Sequence, residues 1–350
     1  GKTRIISMAP IECTLDIRMY MNDFLAAFKA SRIKNMCGIG INPDSIEWTH
    51  LVSYLHEVGD KIVTIDYSNF GPTLMSQIVA AFLDIMVKWF EEKGASEEHV
   101  ERIRWIVYND LLNPYHLGEN VVYQTLNGIA SGSPVTGELN SGANMLYIMC
   151  AWLEIMEEQD LNKANMNAFF EHVRLVVYGD DLIMCVSDEV CELFNGVTLK
   201  EVMRPHGLTL TSAVKDAEMP KYTTILDAQF LKRGFAVHPN RPGVWLAPVD
   251  VNSVRECLNW MTSTLEPVEA TIENCRASLD LAYGHGPVFY EQHRANIRKA
   301  CNRQNIVIKT DSWLARDYQV FGTGVINPED VRHLKTLPWY YYINEDEDCR

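Results

Sequence analysis

Val173-Arg174-Leu175-Val176-Val177-Tyr178-Gly179-Asp180-Asp181-Leu182-Ile183-Met184-Cys185-Val186 is the stretch whose reading decides the fold. Aliphatic and β-branched residues flank a Gly-Asp pair, which predicts two antiparallel strands joined by a tight turn. Two carboxylates follow one another at the tip of this hairpin. Adjacent carboxylates repel, and a divalent cation that neutralises both relieves the repulsion. The stretch alone leaves two readings open, an Asp-rich solvent turn and a metal site.

Composition narrows the classes around it. A chain of 350 residues with 47% hydrophobic content can bury a large core spread over two or three subdomains. It holds no apolar run of about 18 residues or more, so no transmembrane helix is implied. The start, Gly1-Lys2-Thr3-Arg4, lacks the long apolar core of a signal peptide. Nine cysteines stand at 13, 37, 150, 185, 191, 257, 275, 301 and 349 with no CxxC pair. Such a dispersed set suggests reduced thiols in a cytosolic setting, not disulfides or a zinc site. The net charge of −15 argues on its face against nucleic acid. An enzyme that encloses its substrate is governed by the charge along its channel instead. Much of the acid lies elsewhere, at Glu154, Glu157 and Glu158 and in the tail Glu345-Asp346-Glu347-Asp348.

Taken in order, Lys2 and Arg4 alternate with other residues as on one face of a strand, a solvated basic end or a pair of phosphate contacts. Residues 14–36 read as a helix with Leu15, Met19, Phe24, Leu25 and Phe28 on its apolar face. Lys61–Tyr67 reads as a buried strand ending at Asp66, just before a strand-to-helix turn at Pro72. Helices are expected over about 73–93 and 96–112, and a strand at Val121–Tyr123. A small-residue loop, Asn127–Pro134, then feeds a helix over about 136–159. Thr136 and Asn140 share a face of it; Thr136 is equally readable as an N-cap, whereas an interior Asn calls for a polar partner when buried. After the hairpin, two short helices flank Asn195-Gly196, the second ending at Gly207. A strand at 208–211 leads to Lys215, and residues 229–235 read as a hairpin bearing Lys232-Arg233. Helices over 249–263, 267–283 and 287–304 follow. The last carries Arg294, Arg298, Lys299 and Arg303 against Glu291, a solvated face or a binding one.

Asp66 at one strand end and Asp180 with Asp181 at a hairpin tip suit a two-metal site for phosphoryl or nucleotidyl transfer. At these residues the sequence resembles the RNA-dependent RNA polymerases of picorna-like positive-strand RNA viruses, nearest to the insect dicistrovirus and iflavirus branch. The resemblance runs from residue 2 to about 235. Lys2 and Arg4 resemble the end of motif F, and Asp66–Gly71 motif A. Ser131-Gly132, Thr136 and Asn140 fit the SGxxxTxxxN pattern of motif B at every fixed position. Tyr178–Asp181 resembles motif C, Gly207–Thr209 with Lys215 motif D, and Phe230–Arg233 motif E. A lone GDD is a weak signal, whereas these motifs in the family's order are a strong one.

The resemblance implies an α+β right-hand polymerase of fingers, palm with antiparallel sheet, and helical thumb. It divides the chain into a fingers remnant (1–60), a palm (61–247) with inserted fingers helices (about 73–125), and a thumb with acidic tail (248–350). A start inside motif F reads as an N-terminally truncated core. The implied activity is template-directed RNA synthesis, with two Mg2+ ions as cofactors and Mn2+ as the alternative. Asp66 and Asp180 would be the principal metal ligands, Asp181 supporting and the Tyr67 carbonyl contributing. Lys2 and Arg4 would hold the triphosphate, Lys215 would act as general acid for pyrophosphate, and Ser131, Thr136 and Asn140 would read the ribose. Lys232, Arg233, Arg294 and Arg298 would contact RNA. Partners would be an RNA template and primer, NTPs, a protein primer and other viral replication proteins. The place of action would be the host-cell cytoplasm, at membrane-associated replication complexes reached through partners. Gly71 departs from the pattern, because many relatives carry there a second Asp that helps select the ribose. Two rivals remain at this stage, a reverse transcriptase and a non-catalytic palm fragment that binds RNA or a replication partner.

Overall fold

The computed structural model describes residues 6–213, 217–260 and 266–322. In chain order its elements are α1 (Ile11–Ala30), α2 (Ile46–Leu55), β1 (Lys61–Tyr67), α3 (Phe70–Thr73), α4 (Ser76–Glu92), α5 (Glu97–Ile106), β2 (Tyr115–Gly118), β3 (Val121–Gln124), α6 (Thr136–Gln159), α7 (Met166–His172), β4 (Val173–Tyr178), β5 (Asp181–Val186), α8 (Gly196–Met203) and β6 (Leu210–Ser212). They continue with β7 (Ala236–Val237), β8 (Trp245–Leu246), α9 (Val251–Glu256), α10 (Pro267–Ala282), α11 (Gly286–Arg303) and α12 (Trp313–Phe321). Two compact units result. One holds the described residues up to Gly40 together with Val58–Thr223; the other holds Ile41–Glu57 and the described residues from Thr224 onward.

The first unit is built on a four-stranded antiparallel sheet in the order β4-β5-β1-β6. β1 and β5 are nearly continuous apolar strands, buried at Ile62, Val63, Ile65 and from Leu182 to Val186, as strands covered by helices must be. The register sets Ile65 opposite Leu182 and Asp66 opposite Thr211. The free edge of β4 is occupied by main chain, with Gly38 N–H donating to the Val177 carbonyl and Val177 N–H to that of Met36. The 24-residue helix α6 packs on β4, α4 and α8 and buries Leu139, Tyr147, Ile148, Trp152 and Met156.

Several sequence expectations are corrected here. The first helix begins and ends earlier than 14–36. Its buried residues are Ile17, Met21, Phe24 and Leu25, while Leu15 and Met19 are exposed. The error came from a helix apolar on two sides, which periodicity cannot resolve. The helix expected over 73–93 is broken between α3 and α4, where Leu74 turns extended and Met75 N–H donates to the Tyr147 hydroxyl at 2.8 Å. The helix expected over 96–112 passes into a wider π-helical turn at Val107–Leu112. Of the two helices expected around Asn195-Gly196, only α8 forms; the Asn195 side chain caps it, and Gly207 closes it after a short 3-10 turn. The strand after Gly207 is shifted to Leu210–Ser212.

In the second unit, Trp48 of α2 stacks on Phe235 and Phe230 at centroid distances of 4.9 and 6.3 Å. α10, α11 and α12 enclose a small core around Leu279, Tyr290, Ile297 and Trp313. The helix expected over 249–263 is shorter, α9 followed by a 3-10 turn at Cys257–Asn259. α12 was not foreseen. It is fixed by buried Asp317, which accepts from Tyr283, His238 and the Arg241 guanidinium.

Candidate active site

Asp66, Asp180 and Asp181 come to one end of the sheet. β1 and β5 pair as far as Ile65 and Leu182, so the next residue on each strand is a carboxylate, Asp66 and Asp181. Asp180 lies in the two-residue turn between the paired Tyr178 and Asp181. Asp66 and Asp180 are exposed and Asp181 is half-buried. The Asp66 carboxylate accepts from Tyr67 N–H at 2.9 Å, and its carbonyl accepts from the Thr211 hydroxyl at 3.3 Å. Among the described residues no three His, Cys, Asp or Glu side chains stand together as a ready metal cluster. The backbone therefore brings the three carboxylates to one edge, while their side chains are not drawn into a common ligand set. As donors they fit the expected cations, since Mg2+ and Mn2+ take hard carboxylate oxygens.

The turn that carries Asp180 is held from α6. Gly179 has φ +63°, a left-handed conformation that glycine adopts without strain. Its N–H donates to Ser141 Oγ at 2.8 Å, and that hydroxyl donates in turn to the Gly137 carbonyl. Asn144 Nδ2 donates to the Gly179 carbonyl at 3.0 Å and to the Asp180 carbonyl at 3.4 Å. Asn144 Oδ1 accepts from the Tyr67 hydroxyl at 2.9 Å. Burial, with smaller contributions from Tyr147 and Asp180, drives the Tyr67 phenol far above its ordinary range, so it keeps its proton. Ser141 and Asn144 were missed in the sequence. The signal that could have found them is spacing: Asn144 repeats the four-residue step from Thr136 to Asn140, and Ser141 lies four after Gly137.

The glycine-serine loop stands at the head of the same helix. Ser131 is exposed, and its carbonyl accepts from Ser7 N–H at 2.7 Å. Gly132 has φ +128°, and a Cβ there would lie 2.4 Å from the Ser7 carbonyl oxygen, so only glycine fits. Thr136 is the first residue of α6 rather than its N-cap, which is Val135. The Thr136 hydroxyl is shared between the carbonyls of Ala130 and Ser133, each at 2.9 Å, and ties the loop to the helix. Asn140 borders the Asp180 turn, its Cβ 4.0 Å from where a Gly179 side chain would begin. Its Oδ1 is buried without a hydrogen-bond partner. An orphaned buried acceptor costs about 1–3 kcal/mol, which a donor from a bound hydroxyl would recover. Gly71, the departure from the expected pattern, opens onto space, with no heavy atom within 4 Å of a Cβ built there.

The remaining candidates are spread more widely. Lys2, Arg4 and Lys215 lie outside the described residues. Lys232 and Arg233 belong to the second unit, where Phe230 and Arg233 exchange main-chain hydrogen bonds across a tight turn. Lys232 is exposed at its tip. Arg233 points back into its own unit and grips both carboxylate oxygens of Asp44, at 3.0 and 3.3 Å, and the Ala247 carbonyl. Arg294 on α11 is likewise engaged, with Glu291 and with the Thr310 side chain and carbonyl. Arg298 is exposed and lines an open hollow with Lys299, Asn302 and Arg303.

The family described as viral RNA-dependent RNA polymerase matches residues 1–302. The genome polyprotein of Deformed wing virus is 38% identical over 328 residues, covering 93% of this chain and 11% of that polyprotein. The replicase polyprotein of Acute bee paralysis virus (strain Rothamsted) is 32% identical over 309 residues, 85% of this chain and 16% of the relative. The chain thus spans a small fraction of the curated relatives it matches. Among solved structures, the Sicinivirus 3Dpol RNA-dependent RNA polymerase superposes with a TM-score of 0.72 at 18% identity, over 95% of this chain and 64% of that one. That likeness bears out the α+β right-hand polymerase fold, and the polyproteins bear out the resemblance to picorna-like insect viruses.

Proposed function

The chain belongs to the viral RNA-dependent RNA polymerase family, and on that premise we propose that it catalyses template-directed RNA synthesis by transfer of a nucleotide from an NTP to an RNA 3′-hydroxyl. The observation that carries the proposal is the meeting of Asp66, Asp180 and Asp181 at one sheet end, beside the unpartnered Asn140 acceptor. Asp66 and Asp180 would hold two Mg2+ ions, with Asp181 in support. When bound, such ions lower the pKa of the attacking hydroxyl and neutralise charge on the triphosphate and leaving pyrophosphate. Asn140 offers its Oδ1 to a ribose hydroxyl, the group that separates RNA from DNA precursors. Thr136 holds the loop that presents Ser131 to the same sugar. Lys2 and Arg4 would grip the triphosphate and Lys215 would protonate the leaving group.

RNA contact in the second unit falls, on this reading, to the residues whose charge faces solvent, Lys232 and Arg298, with Arg233 and Arg294 holding the surfaces that bear them. The proposed partners are template, primer, NTPs, a protein primer and other viral replication proteins. The proposed place of action is the host-cell cytoplasm, at membranes reached through such partners. No helix among the described residues is long and apolar enough to cross a membrane.

Primer extension on an RNA template tests the proposal. The expected result is incorporation of NTPs over dNTPs, lowered by about a hundredfold or more in Asp180→Ala while RNA binding persists. Preferred incorporation of dNTPs would return the reading to a reverse transcriptase, and binding without turnover would return it to an RNA-binding palm.

A further inference from the structure

Divalent cations held by Asp66 and Asp180 would need the two carboxylates at a fixed separation, yet strand pairing does not set it. β1 and β5 stop pairing at Ile65 and Leu182, and beyond that point Asp66 and Tyr67 pair with β6. The Gly179-Asp180 turn overhangs the ladder to β1. Its polar main-chain groups are held instead by side chains, Gly179 N–H by Ser141 and the Gly179 and Asp180 carbonyls by Asn144.

The donor and acceptor roles are forced. A carbonyl can only accept, so the Asn144 amide nitrogen must face the turn, and its oxygen is left for Tyr67. The Tyr67 hydroxyl must therefore donate. Ser141 has committed its proton to the Gly137 carbonyl, which leaves a lone pair for Gly179 N–H. Ser141 and Asn144 are fully buried and Tyr67 nearly so, so water does not compete for these bonds. Tyr67 also follows Asp66 directly, and its N–H donates to the Asp66 carboxylate. A continuous path thus joins the two carboxylate-bearing segments, from Asp66 through Tyr67 and Asn144 to Gly179 and Asp180.

We propose that Asn144, oriented by the Tyr67 hydroxyl and assisted by Ser141, is a positioning residue that sets the separation of Asp66 from Asp180 and through it the affinity of the site for divalent cations. The proposal rests on the reading that these carboxylates hold the catalytic ions. None of the three side chains touches substrate in this role. Partners of metal ligands that act in this way change metal affinity by about 10–100-fold when removed.

The test is Mn2+ binding by the full chain, read as free Mn2+ by electron paramagnetic resonance, in the wild type, Tyr67→Phe, Asn144→Ala, Ser141→Ala and Asp180→Ala. Tyr67→Phe is the decisive variant, because it removes one hydroxyl and keeps the ring. It is expected to weaken Mn2+ binding about tenfold. Its RNA affinity in metal-free buffer and its circular dichroism should match the wild type, and raised Mn2+ should restore its extension rate. A purely structural role would lower stability without moving the metal titration. Wild-type Mn2+ affinity in folded Tyr67→Phe would overturn the proposal. Should Asn144→Ala fail to fold, Tyr67→Phe and Ser141→Ala still decide it. Asp180→Ala separates the two levels: if it binds Mn2+ as the wild type does, the metal-site reading itself falls. If it loses Mn2+ and Tyr67→Phe does not, only the positioning role falls.

Discussion

Two tight turns, one in each unit, present charged residues, and they are built in opposite ways. The Gly179-Asp180 turn puts glycine at its left-handed position and makes three hydrogen bonds with side chains of α6, donating one to Ser141 and accepting two from Asn144. The Leu231-Lys232 turn puts two side-chain-bearing residues in the left-handed region, at φ 55° and 58°, where Asn-Gly is the usual choice. Each such residue costs about 1–2 kcal/mol. This turn is closed by main-chain bonds between Phe230 and Arg233 and anchored by the Arg233 fork on Asp44. The first turn is relaxed and clamped. The second is strained, and its anchor leaves Lys232 facing solvent. On the proposed reading, a carboxylate sharing a cation would need its main chain fixed from several directions, whereas a lysine meeting a phosphate as a point charge would need only to be displayed.

Four substitutions probe this contrast. The largest effect is expected from Asp180→Ala, which should reduce RNA-templated extension by about a hundred- to a thousandfold, several kcal/mol of transition-state stabilisation, in single-turnover assays. Gly179→Ala comes next. The nearest heavy atom to the new methyl is Asn140 Cβ at 4.0 Å, so the penalty is backbone strain and not a clash. Urea denaturation should show a loss of about 1–2 kcal/mol, with extension lowered as well. Arg233→Lys keeps the charge and loses the two-pronged grip on Asp44. A loss of about 1 kcal/mol is expected, with weaker primer binding. The smallest effect belongs to Leu231→Gly, which relieves strain at some cost in chain entropy. The net is a gain of up to about 1 kcal/mol, together with a weaker primer interaction, because Lys232 is no longer held in one place. Stabilisation by Gly179→Ala, or destabilisation by Leu231→Gly, would show that the two turns do not differ in the way described.

Much of the site could be read from the chain because its parts are local. Tyr178–Asp181 forms the turn of the expected hairpin between two antiparallel strands, and α6 runs over Thr136–Gln159 as expected. Asp66 lies next to last in a buried strand, as β-branched Ile62, Val63, Thr64 and Ile65 foretold. What could not be read depends on contacts distant in sequence. Asn144 looked like one more polar residue in a helix until its amide met a turn 35 residues away. Arg233 looked like a partner of Lys232 until Asp44, 189 residues earlier, took its guanidinium. Charge sign can be read from sequence, but the direction in which a cation points cannot. The same holds for the break before α4, which Tyr147 fixes from 72 residues away.

On the proposed function, the carboxylates at this sheet end carry nucleotide transfer on RNA. A single extension experiment tests it most directly, with labelled RNA primer on an RNA template, NTPs and Mg2+, comparing the wild type with Asp66→Asn and Asp180→Ala. Full-length product is expected from the wild type only, with all three proteins binding the primer-template equally. Equal extension by either variant would contradict it.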